Sequence, residues 1–119
     1  MAIAHFALGV LATALLFTVA LPRAARSPTV ILAGGVWGVV PDVHWVLPMG
    51  SALVKSFHGT VWANVFWFHQ FVDIADPSNS RPLAAGIVAL MLVVVPVCEQ
   101  VAAMQLSPKT VPISEEPSD

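Results

Sequence analysis

The sequence predicts an all-α fold, a small polytopic membrane protein built as a four-transmembrane-helix bundle. Three observations lead there. Of 119 residues only five are Lys or Arg and seven Asp or Glu, so 10% are charged, against about 25% in ordinary soluble domains. Apolar residues make up 57% of the chain and the mean hydropathy is +0.82. The charges are also unevenly placed, leaving long uncharged runs at residues 1–22, 27–41, 56–72 and 82–98. A bilayer-spanning helix needs about 20 mostly apolar residues. A small soluble domain has too much surface to stay this apolar, and a disordered chain needs the opposite composition. The net charge of −2 leaves no basic patch for nucleic acid. The single cysteine, Cys98, has no partner for an internal disulfide.

The first helix is expected at residues 2–21, ended by Pro22 and followed by Arg23 and Arg26. Nothing basic precedes it, so it reads as a retained helix and not as a cleaved signal. The second is expected at residues 29–45, interrupted at Pro41, whose missing N–H breaks the backbone ladder. Pro48, Met49, Gly50 and Ser51 form a turn. The third is expected at residues 51–73. The breaker cluster at residues 76–82 follows, and its Pro82 suits the first turn of a fourth helix at residues 82–104. Residues 1–106 thus form one transmembrane domain, and residues 107–119 a flexible, acidic, proline-containing tail. Arg23, Arg26 and Arg81 against Lys55 and Lys109 place both termini of this multi-pass cell-membrane protein outside the cytoplasm.

Ionisable residues inside a membrane are costly and mark function. The candidates are His5, Asp42, His44, His58, His69, Asp73 and Glu99. Up-and-down alternation puts His5, Asp42, His44, His58 and Glu99 on one side of the membrane. His58, Trp62, Val65, His69 and Asp73 recur at spacings of four, three, four and four, one stripe of a continuous helix. At 1.5 Å per residue His69 then lies about 16 Å below His58. Simpler readings stand beside these. His69 and Asp73 suit a hydrogen-bonded pair, Glu99 a helix end near water, and the four tryptophans an interfacial belt. Gly34 and Gly38 form a small-x-x-x-small patch for close helix packing, within the chain or between two copies in a homo-oligomer.

Imidazole and carboxylate are the N and O donors of zinc and non-haem metal sites. His5, Asp42, His44 and His58 are the expected metal ligands, with His69, Asp73 and Glu99 as a further polar group and Zn as the favoured ion. A site with an open position would activate water for hydrolysis.

The residues also carry a resemblance. His5 with Gly9, then Pro41-Asp42-Val43-His44 closing an apolar helix, then His58-Gly59-Thr60 opening the next, resemble the membrane-bound, metal-dependent hydrolase-like proteins of the inner membrane. The likeness covers about residues 1–75. It implies a polytopic helical protein whose His and Asp residues bind a metal. This chain departs from the family pattern in three places: His44 replaces an aspartate, Gly59 replaces an arginine, and Ala63 stands where a second histidine is usual, with His69 the nearest substitute. Two other functions fit the same residues. One is a non-catalytic subunit or helix-packing partner using Gly34 and Gly38. The other is a proton or cation path along His58, His69 and Asp73. No phosphate-cradling Gly loop with a following Lys is present.

Overall fold

The computed structural model describes residues 2–107. Of the tail expected at residues 107–119, all but Ser107 lies outside them. Among the described residues every element is helical, and there is no strand. The elements are α1 (Ala2–Ala20), α2 (Pro22–Ala25), α3 (Pro28–Val39), a 3-10 turn (Val40–Trp45), α4 (Ser51–His58), a second 3-10 turn (Val61–Val65), α5 (His69–Ala75) and α6 (Arg81–Leu106). Among the described residues two helices, not four, are long and apolar enough to cross a membrane: α1 and α6.

Prolines set most of the boundaries. Pro22, Pro28 and Pro82 sit in the first turns of α2, α3 and α6, where a missing N–H costs nothing. Pro41 marks the place where α3 tightens into a 3-10 turn. Gly50 adopts φ +74 in the turn before α4, a conformation that favours glycine.

Glycines govern how α1 meets α3. A Cβ on Gly38 would stand 2.6 Å from the His5 carbonyl oxygen, and one on Gly35 would stand 2.7 Å from the Phe6 ring. Thr13 fills the space where a Gly34 side chain would go. Gly34 and Gly38 therefore face α1 of the same chain, and their small size lets the two backbones approach closely. Further along, Val10, Ala14, Ile31 and Cys98 form the buried core, with Phe6, Met91, Val94 and Val95 packed against it.

The third expected helix is not continuous. Gly59 caps α4, and Trp67 and Phe68 take φ of 53 and 60 before α5. Side chains hold this reversal. Asn64 Oδ1 accepts the Phe71 N–H at 2.9 Å, and Gln70 Nε2 donates to the Gly59 carbonyl at 2.9 Å. Trp37 Nε1 donates to the Val65 carbonyl at 3.1 Å and stacks on Phe66, fastening the segment to α3.

Residues 46–80 consequently do not cross the bundle but return to the side they left. Ala4 and His5, at the start of α1, border Ser80 and Leu83 at the start of α6. The two long helices run parallel, and α1 packs against both α6 and the antiparallel α3. Glu99 falls at the opposite end, beside Pro28 and Ile31. The expectation that Glu99 shares a side with His5 is corrected, because it assumed a crossing that the broken segment does not make.

Candidate metal centre

α1 presents His5 from its first turns, and the α1–α3 crossing at Gly38 brings it to Asp42 one turn further on. His5 Nδ1 donates to Asp42 Oδ2 at 2.8 Å, with both side chains buried. α4 ends at His58, α5 begins at His69 and carries Asp73, and the reversal between them folds all three onto the same spot. The His58 and His69 ring centroids are 4.8 Å apart, in place of the about 16 Å that one continuous helix would impose. The His5 and His69 rings lie at 3.8 Å.

Four donor atoms meet at the centre. His58 Nε2 is 3.4 Å from Asp42 Oδ1 and 3.2 Å from Asp73 Oδ2. His69 Nε2 is 3.5 Å from Asp42 Oδ1 and 3.7 Å from Asp73 Oδ2. Donors at about 2.0–2.2 Å from one tetrahedral ion stand about 3.3–3.6 Å apart. Each nitrogen-to-oxygen separation is close to that spacing. His5 Nε2 lies 3.2 Å from Asp73 Oδ1, so His5 reaches the outer oxygens of both carboxylates. Two groups, His5 with Asp42 and His69, and His58 with His69 and Asp73, could hold a metal ion. They share His69 and make one centre.

The hydrogen-bond pattern fits that use. A carbonyl only accepts, so His69 Nδ1 donates its proton to the Gly38 carbonyl at 3.1 Å, which leaves Nε2 as the ring nitrogen that faces the carboxylates. The Nε2 atom of His69 is buried and without a hydrogen-bond partner. Such atoms are rare in folded proteins and call for an explanation. Among the described residues, the ion pairs of Asp42 and Asp73 are with histidines only. Two carboxylates this close, one of them buried, need positive charge between them. A divalent cation on the four donors would supply it, as would protonated histidines.

Of the expected ligands, His5, Asp42 and His58 come together. His44 lies beside them, its ring 5.0 Å from that of His58, and its Nδ1 donates to the Pro41 carbonyl at 2.8 Å. It belongs to neither metal-capable group. His69 and Asp73 enter the centre, and Glu99 is remote from it. A cavity of about 500 Å³ opens over Asp42, His58 and Asp73, walled by Ala2, Trp45, Pro77 and Asn79. His58 and Asp73 are partly exposed in it, whereas His69 is sealed behind. Asn79 was not legible as part of this site; it stands in the breaker cluster, where polar residues usually signal only a turn.

No family model, curated protein or solved structure matches this chain.

Proposed function

We propose that the chain is an integral membrane protein whose His58, His69, Asp42 and Asp73 hold one divalent ion, with Zn the favoured identity, at one membrane face, and that it acts there as a metal-dependent hydrolase. The four nitrogen-to-oxygen separations of 3.2 to 3.7 Å carry the reading. The resemblance to membrane-bound metal-dependent hydrolases agrees with it. The bilayer assignment draws on the two long apolar helices and on the apolar side chains they leave exposed, among them Val19, Leu92 and Val93.

When bound, the ion supplies a water acidic enough to ionise near neutral pH. The protein's residues do the rest. Gly38 fixes the His69 tautomer, and His5 steadies Asp42 through its outer oxygen, as outer-shell partners do in metal sites. The cavity lets an ester reach the exposed side of the centre. Water adds to the ester carbonyl carbon and the acyl C–O bond breaks. The alcohol leaves with one proton, the acid leaves as its carboxylate, and the second proton goes to solvent.

The test is turnover of a fluorogenic carboxylic ester by detergent-purified, Zn-loaded protein. Activity that falls about a hundredfold or more in Asp42→Ala, together with its metal, supports the reading. Equal rates in the two proteins would end it.

A further inference from the structure

The cavity over the metal centre does not end there. A second, apolar groove of about 530 Å³ runs along α1 and α3 and shares Ala2, Asp42 and Trp45 with it. Its other walls are Phe6, Val36, Val39, Val40, Val43 and Val46. Among the described residues lining it, Asp42 alone is charged, and it stands where groove and cavity join. Val36 and Val46 are 60% and 77% exposed, so the groove is open along its flank. Both volumes fall in the range of small-molecule sites.

We propose that the substrate is a membrane amphiphile with a hydrocarbon chain, its chain lying in the groove between α1 and α3 and its ester reaching Asp42, His58 and Asp73. The identification of the scissile bond rests on the hydrolase reading. The chain-binding role rests on the groove itself. The cavity that carries Asp42, His58 and Asp73 and the apolar groove have similar volumes and meet at one carboxylate of the centre, which is the layout an amphiphile requires. A free, water-soluble ester would leave the groove unused. A chain entering sideways from the bilayer would pass Val36 and Val46 without crossing a polar barrier.

The experiment uses the full, Zn-loaded chain in lipid nanodiscs with 4-nitrophenyl acetate and 4-nitrophenyl dodecanoate. The readout is the ratio of long-chain to short-chain turnover, compared between variants so that partitioning cancels. Val36→Trp narrows the groove and lowers the ratio about tenfold or more, the scale on which apolar pockets discriminate. Val93→Trp, on the exposed face of α6, keeps the wild-type ratio. Turnover of both esters with the same ratio in Val36→Trp would overturn the inference and leave the hydrolase reading intact. If neither ester is hydrolysed, the hydrolase reading fails and labelling decides the inference. A fatty alcohol with a diazirine at its chain end should then label residues 36–46, and Val36→Trp should suppress it. Labelling spread evenly over α1, α3 and α6 would overturn it.

Discussion

His58 Nε2 lies 3.2 Å from Asp73 Oδ2, although one residue ends α4 and the other belongs to α5. The contact exists because the chain reverses at Trp67 and Phe68, both in the left-handed region. Non-glycine residues rarely rest there, and each costs of order 1 kcal/mol or more. The Asn64 and Gln70 hydrogen bonds and the Trp37 anchor offset that cost. The reversal delivers His69 and Asp73 to a centre that α1 and α3 have already half assembled.

His69 should be the most sensitive ligand. It is fully buried and its ring is oriented by Gly38. His69→Ala is expected to reduce bound metal by more than the about 10–100-fold typical of outer-shell losses. Competition with a chromophoric chelator measures it, with circular dichroism confirming retained helix.

In the proposed centre His5 would act one layer out, on the carboxylate oxygens that face away from the ion. His5→Ala should weaken metal binding about 10–100-fold without abolishing it. Affinity equal to that of His69→Ala would make His5 a direct ligand.

The α1–α3 crossing can be probed without touching a ligand. A Gly38→Ala Cβ meets the His5 backbone, whereas one at Gly86 meets nothing within 4 Å. Gly38→Ala should destabilise the protein by about 1–3 kcal/mol, as overpacking does. Gly86→Ala, inside α6, should be neutral or stabilising by up to about 1 kcal/mol. Unfolding in mixed detergent micelles separates the two.

Much of this was legible in the sequence, and the limits have physical causes. Uncharged runs mark α1 and α6, the two helices long and apolar enough to cross a membrane among the described residues. Pro41 and the cluster at residues 76–82 mark breaks because proline cannot donate a backbone bond. His5, Asp42 and His58 could be grouped from helix ends alone. The segment at residues 51–73 misled because its spacing also satisfies a helical stripe. Periodicity cannot reveal a reversal held by tertiary contacts such as Trp37 to Val65. Gly59, Asn64 and Gln70, polar or flexible residues in a supposed membrane-spanning helix, were the available signal. Missing that reversal misplaced His69 and Asp73, and it also put Glu99 on the wrong side. Gly34 and Gly38 were recognisable as a packing patch, but only the fold shows that α1 fills it.

Acid should loosen the loop that enters α6. The Ser78 hydroxyl and the Ser80 N–H donate to Asp76 at 2.7 and 2.6 Å and hold its carboxyl below the ordinary 3.8. A group whose folded pKa is depressed stabilises above its unfolded value and loses that contribution as pH falls through the folded one. Wild type should therefore exceed Asp76→Asn in thermal stability at about pH 5 and above. The difference should shrink below 3.8. A pH-independent difference would mean that the carboxylate's charge is not involved.

Zinc-edge X-ray absorption on the purified full chain tests the metal centre most directly. The expected result is about one equivalent of Zn with N and O donors at about 2.0–2.2 Å. Scattering from two imidazole rings should fall to one in His58→Ala. Less than about a tenth of an equivalent after equilibration with Zn, or an all-oxygen shell without imidazole, would contradict a centre built on His58, His69, Asp42 and Asp73.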